Sequence, residues 1–145
     1  MPVARHSAVI DASMDEVMAV ICDFGAYPEF LPEMEKTEIL SEEDGTWEVR
    51  FHIRIIRRLS YTLRLIREGP DRLSWTLIEG AFKTNRGSWS LHSTEKGTRA
   101  DYQIDLQIGH FVPSNIVRSL VERTLPETVS RFKSETEGRG SGSPS

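Results

Sequence analysis

Few side chains in this sequence could do chemistry, and strand parity sorts them. A group that polarises a carbonyl or moves a proton has to project into a pocket. Along the alternating segments described below, the inward polar candidates are Tyr61 and Tyr102, with Asn85 and Arg67 as further candidates. A tyrosine facing a core ordinarily spends its hydroxyl on a neighbour, so Tyr61 and Tyr102 are weak catalytic candidates. No inward Asp, Glu or His is evident, which counts against acid–base catalysis and favours binding. His6, His52, His92 and His110 include no pair at helical spacing, and Cys22 is the single cysteine. No metal site is therefore expected, and no cofactor is implied. His52 and His92 fall on outward positions or near strand ends. Cys22 lies near the C-terminal end of a helix, the wrong end for lowering a thiol pKa. No Ser–His–Asp or Cys–His arrangement is readable.

The elements that must position these groups follow from hydrophobic period. "VARHSAVID" (3–11) reads as a first strand. "DASMDEVMAVICDF" then reads as a helix, with Ser13 as N-cap and Glu16 completing a capping box. Val17, Val20, Ile21 and Phe24 recur at helical spacing, and Gly25 can end the helix. The next stretch, "DFGAYPEFLP", crowds Phe24, Tyr27, Phe30 and Leu31 around Pro28 and Pro32. Proline excludes a long regular element there. So much apolar surface on an irregular segment implies something concave beneath it, or a set of ordinary core plugs.

From Lys36 the period changes to two. Trp47, Val49, Phe51, Ile53 and Ile55 alternate with Glu48, Arg50, His52 and Arg54, the pattern of a half-buried antiparallel strand. Leu59, Tyr61, Leu63 and Leu65 form the inward face of the next strand. Leu73, Trp75 and Leu77, then Trp89 and Leu91, then Ala100, Tyr102, Ile104, Leu106 and Ile108 continue the series. Gly80 marks a bulge or turn. After Pro113, Ser114 caps a long helix running to about Glu137, with Ile116, Val117, Leu120, Val121, Leu125, Val129 and Phe132 as its apolar stripe. Pro126 lies inside that stripe and is expected to bend it, at ~3 kcal/mol unless the surroundings absorb it. The tail 138–145, "GRGSGSPS", is low in complexity and is read as disordered.

Length and charge set the outer bounds. The chain has 145 residues, 38% hydrophobic and 28% charged, which suits one soluble α+β domain over 1–137. No apolar run is long enough to span a bilayer, no secretory signal is evident, and one cysteine permits no internal disulfide. A cytoplasmic location fits these features. The net charge of −4 counts against a dedicated DNA or RNA binder. Charge is unevenly spread: eight acids and one base (Lys36) lie between Glu29 and Glu48, and seven arginines with two acids between Arg50 and Arg72. Arg50, Arg54, Arg57, Arg58 and Arg64 are thus a candidate basic partner patch; solvated strand faces are the plainer account. No aromatic residues interleave with them, as single-strand binding would want.

Strand, helix, short helical piece, about six strands and a long helix make an antiparallel meander with one helix to cover it. A wide sheet presents more apolar surface than one helix hides. Strong curvature would leave a gap lined with Phe, Trp and Tyr; dense packing is the competing outcome. Pattern does not separate the two.

In "VIDASMDEVMAVICDFGAYPEFLP", "LSWTLIEGAFKTNRGSW" and "LPETVSRFKSE" the chain resembles the START-like (SRPBCC) superfamily, in its polyketide cyclase/dehydrase and coenzyme Q-binding branch. The likeness covers residues 3–137. It implies a helix-grip fold (START-like/Bet v 1-like), in which a curved antiparallel sheet wraps a long C-terminal helix. It further implies binding or transport of a lipid, quinone or polyketide-like molecule between sheet and helix. Phe24, Tyr27, Phe30 and Leu31 would roof that cavity. Phe51, Ile53, Tyr61, Leu63, Trp75, Trp89, Tyr102, Val117, Leu120, Val121 and Leu125 would line it. A polyketide cyclase or aromatase is the enzymatic alternative, and ribosome association, known among relatives, the surface alternative. Ligand identity and the choice between monomer and dimer stay open.

Overall fold

The structure, a computed structural model, describes residues 3–54, 58–108 and 114–141. Strand β1 (Val3–Ile10) leads into helix α1 (Met14–Ile21), a single 3₁₀ turn (Phe24–Ala26) and the short helix α2 (Tyr27–Phe30). Six strands follow in a meander: β2 (Met34–Glu43), β3 (Thr46–Arg54), β4 (Arg58–Arg67), β5 (Arg72–Gly80), β6 (Phe82–Thr94) and β7 (Gly97–Ile108). The chain closes with α3 (Ser114–Ser119), a π turn (Leu120–Thr124) and α4 (Leu125–Ser141). The seven strands form one antiparallel sheet in the order β1-β7-β6-β5-β4-β3-β2.

Local chemistry explains several boundaries, although α1 stops at Ile21 with Cys22 as its C-cap, not at Gly25, which lies inside the 3₁₀ turn. The Ser13 hydroxyl accepts from the Glu16 N–H, and the Glu16 carboxylate accepts from the Ser13 N–H, so α1 begins with a reciprocal cap. Asp44 and Gly45 both have positive φ, 48° and 77°, as a tight β2–β3 hairpin requires. On β3 alternate residues from Trp47 to Ile53 are buried; the described side chains expected inward on β4, β5 and β7 are buried or half-buried too, but Thr62 and Asp105, expected outward, are also buried. Ile55 lies outside the described residues. Register shifts in β2, between β4 and β5, and between β6 and β7 bend the sheet. Gly87 makes one close approach possible: a Cβ there would sit 2.6 Å from the Trp75 ring and 2.2 Å from the Gln103 carbonyl oxygen. Gly80 (φ 131°) closes β5 against Tyr61, and the Ala81 N–H donates to the Ser60 carbonyl, so a turn is what it marks.

The C-terminal helix departs from the sequence reading twice. The expected single helix is split by the π turn, and Pro126 falls at the second residue of α4. A proline lacks the N–H for the ordinary bond and crowds the carbonyl four residues back; a wider turn just before it relieves both. The helix also runs four residues past the expected end at Glu137, to Ser141. Arg139 bridges Glu135 and Asp23 at 2.8 and 3.2 Å, which holds that last turn. Residues 142–145 lie outside the described set.

One apolar core joins α1, the concave face of the sheet and α4. Lys133 Nζ donates to the Val9 carbonyl, and the Asp11 N–H donates to Glu137, pinning α4 along β1. No helix of the described residues is long and apolar enough to cross a membrane.

Candidate functional site

The curvature leaves a cavity of about 120 Å³ between the concave face and the start of α4. Aromatic rings surround it in two arcs that share Tyr27. One runs Tyr27–Phe51–Tyr61–Phe82, with centroid separations of 6.1, 5.5 and 5.3 Å. The other runs Tyr27–Phe132–Trp89–Tyr102–Trp75, with separations of 5.2, 5.1, 4.7 and 5.6 Å. Asn85 closes the circuit: its side-chain oxygen accepts from Trp75 Nε1 at 3.0 Å, and Asn85 itself is buried. That bond orients the indole and stops a buried amide from being stranded.

Of the residues expected to line a cavity, Tyr27, Leu31, Phe51, Ile53, Tyr61, Leu63, Trp75, Trp89, Tyr102 and Leu125 are in this wall. Phe24 and Phe30 are not. Phe24 is wedged between Tyr27 and Trp47 beneath α1, with centroids 5.6 and 5.2 Å away. Phe30 turns edge-on to Tyr27 and Phe132 instead. The side chains of Val117, Leu120 and Val121 lie outside the described residues. Arg67, considered as an inward group, is exposed, and its Nε donates to the Gly69 carbonyl.

The roof segment is fastened. The Tyr27 hydroxyl donates to the Ile21 carbonyl in a short bond, and Thr37 Oγ1 donates to the Phe24 carbonyl at 2.9 Å. Burial holds the Tyr27, Tyr61 and Tyr102 hydroxyls well above the ordinary tyrosine pKa, so all three stay protonated donors. Neither the Tyr61 nor the Tyr102 hydroxyl has a hydrogen-bond partner among the described residues.

A carboxylate also lines the cavity, which corrects the reading that no acid points inward. Glu33 sits on the turn between α2 and β2, where its carbonyl accepts from the Arg54 N–H at 2.8 Å. Burial pushes its carboxyl above the usual range. The Glu127 charge adds to that, while a hydrogen bond from its own backbone N–H, then Arg131 and the Thr128 hydroxyl, pull the other way without cancelling it. Its charge in turn helps raise the Tyr61 hydroxyl. Nothing in the sequence flagged Glu33, because it follows Leu31-Pro32 on a turn and has no strand or helix period to assign its direction. Thr124 and Thr128 line the same side. Phe82, Ile104, Leu106 and Phe132 also belong to the wall; the last three lay on faces whose period already marked them as buried.

The convex face answers the charge asymmetry. Glu38 and Arg50 are directly opposite across β2–β3, as are Glu48 and Arg64 across β3–β4. They pair at 3.1 and 2.9 Å, and Arg58 pairs with Glu35 at 3.0 Å. The acidic and basic runs are therefore two sides of a cross-strand ladder. Arg54 is exposed, and Arg57 and His110 lie outside the described residues. His52 and His92 stand beside Glu38 and Asp101, at 3.4 and 3.1 Å. No cluster of three His, Cys, Asp or Glu side chains fit for a metal occurs among the described residues.

The family described as "Polyketide cyclase / dehydrase and lipid transport" matches residues 10–133. Solved structures share the fold. The Zhui aromatase/cyclase from Streptomyces sp. R1128 is 20% identical, with TM-score 0.85 over 96% of this chain and 95% of that one. A START superfamily protein from Mycobacterium smegmatis is 18% identical, with TM-score 0.81 over 93% and 97%. A STAR-related lipid transfer protein fragment from Xanthomonas axonopodis is 19% identical, with TM-score 0.70 over 91% and 84%. No curated protein matches the sequence.

Proposed function

Because the chain belongs to the polyketide cyclase/dehydrase and lipid transport family, with the helix-grip fold of the START and Bet v 1 proteins, we propose that it reversibly binds an apolar, ring-bearing small molecule between the sheet and α4. A quinone, a lipid or a polyketide-like compound fits that description. The observation that carries the reading is the aromatic circuit around an unfilled space lined by Tyr61 and Tyr102, whose hydroxyls have no hydrogen-bond partner among the described residues. Interiors normally close such voids, and a cavity lined by rings with two or three convergent polar groups is how apolar ligands are held and oriented.

Size sharpens the proposal. At about 120 Å³ the space holds a single ring; a pocket for a larger ligand runs to roughly 300–1,000 Å³. A ring of phenylalanine size has roughly 150–250 Å² of surface. Burying it gains about 4–6 kcal/mol before association costs, at ~25 cal/mol per Å². A larger ligand requires the wall to open, and the π turn with Pro126 is the part of the wall built for that, since the roof is tied to Ile21 and Thr37. The partly buried, single Cys22 accords with a reducing cytoplasm.

Native mass spectrometry of protein purified from its own host, followed by solvent extraction, tests this. A retained apolar molecule is expected. Bare protein that also fails to bind any single-ring probe would refute it.

One observation favours a catalytic reading as the second choice. Glu33, Tyr61 and Tyr102 place a carboxyl and two hydroxyl donors on one cavity, the elements needed to polarise a carbonyl and shift a proton in a cyclisation. Tyr61→Phe and Tyr102→Phe variants that keep full turnover on a poly-β-ketone would remove those two from it.

A further inference from the structure

Among the described residues, the polar edge of the cavity carries one acid and no base. The Glu127 and Arg131 charges act on the Glu33 carboxyl in opposite senses, and its own backbone N–H and the Thr128 hydroxyl also meet it. No ion pair of the described residues includes Glu33. The other polar groups there are the Tyr61 and Tyr102 hydroxyls, the Asn85 amide, and Thr124 and Thr128. Such a set suits an oxygen that accepts from a tyrosine and can donate to a carboxylate. A ligand carboxylate is refused twice: it must shed its water into an apolar wall, and it meets a like charge at close range.

We propose that Glu33 is a specificity-determining residue that makes the cavity select an uncharged hydroxyl, that of a phenol, enol or alcohol, and reject carboxylate-headed ligands such as fatty-acid anions. The inference rests on the binding function proposed above. In the bound state the ligand hydroxyl lies between Glu33 and Tyr61, and its ring stacks within the aromatic circuit.

Fluorine NMR of the full chain at neutral pH tests this with para-fluorophenol and para-fluorobenzoate, single rings that match the cavity and differ in the head alone. A preference for the phenol in the unmodified protein is expected but does not decide, since any apolar cavity penalises a carboxylate. The deciding quantity is the ratio of the two affinities on removing the charge. Glu33→Gln is expected to shrink the phenol-to-benzoate ratio by about tenfold, as loss of one close like-charge contact should. Glu33→Asp, which keeps the charge, is expected to retain most of the ratio. An unchanged ratio in Glu33→Gln overturns the proposal while leaving ligand binding intact. An equal collapse in both variants also overturns it, because packing and not charge would then set the ratio. If neither probe binds the unmodified protein, the binding function itself fails and this inference with it.

Discussion

From Val129 to Arg139 helix α4 is fastened turn by turn, whereas from Leu125 to Thr128 it borders a space. In the first region Val129 and Phe132 are buried, Thr136 bonds back to the Phe132 carbonyl, and Lys133, Glu137 and Arg139 tie the helix to Val9, Asp11 and Asp23. In the second, Leu125 and Thr128 face the cavity together with Thr124, the last residue of the π turn. The same helix thus supplies the domain's closure at one end and a deformable wall at the other. The contrast teaches how far one helix can divide its tasks: the polar ties to Val9, Asp11 and Asp23 lie away from the cavity, while Phe132 serves both the packing and the wall. A domain with only a modest stability margin can keep an imperfectly filled region when the rest is packed well.

The largest effect expected is on the fastened side. Phe132→Ala removes the ring that meets Tyr27, Phe30 and Trp89, and should cost about 3–5 kcal/mol in urea unfolding. Leu125→Ala enlarges a space that already exists and should cost about 2 kcal/mol, the low end for such a truncation. Equal losses would dissolve the contrast between the two regions.

Much of this was legible in the sequence. Capping by Ser13 and Glu16, the inward faces of β3, β4, β5 and β7, and the element order follow from period and turn chemistry, which are local. Parity also placed Tyr61, Trp75 and Tyr102 on the concave side. What was not legible depends on packing in three dimensions. Phe24 and Phe30 have the same composition cues as Tyr27, and only the position of α1 and Phe132 decides which ring reaches the cavity. Glu33 lies on a turn, where no period assigns a direction. The pairing of Glu38 with Arg50 and Glu48 with Arg64 required the register, which the charge counts alone did not contain. The π turn at 120–124 answers Pro126 in a way sequence pattern left open between bending and absorption.

A second prediction probes the roof. Tyr27→Phe leaves the Ile21 carbonyl without its donor in a buried site, and should cost about 1–3 kcal/mol, the penalty for an unsatisfied buried acceptor. Hydrogen exchange at residues 24–31 should speed up in parallel. Loss of stability without faster exchange would mean the roof is held by its rings alone.

The third concerns pH. Burial raises the Glu33 carboxyl in the folded state above its unfolded value. The folded protein therefore holds that proton more readily, so ionising Glu33 destabilises at neutral pH, and the cost is relieved as pH falls through the folded pKa toward the unfolded one. Glu33→Gln should accordingly melt higher than the unmodified protein at neutral pH, with the gap closing in acid. Thermal melts in matched buffers decide it; a gap that is constant with pH would mean the carboxyl is not destabilised by burial.

The smallest effect on stability, and the most informative about the cavity, belongs to Tyr61→Phe. The ring of Tyr61 is held between Phe51 and Phe82, and phenylalanine keeps both contacts. Its hydroxyl has no partner among the described residues, so removing it breaks nothing in the fold, and the change should stay within about 0.5 kcal/mol. In a packed core such neutrality would be unremarkable only if the hydroxyl reached solvent or a partner, because an unsatisfied buried donor costs free energy to keep. On the binding function proposed above, a hydroxyl that lines the cavity without a structural partner is available to a ligand. The same variant should therefore weaken para-fluorophenol binding by about threefold to tenfold, the worth of one hydrogen bond. Stability lost by more than about 1 kcal/mol would show that the hydroxyl has a structural partner, and the polar edge of the cavity would then belong with the fastened half of the molecule.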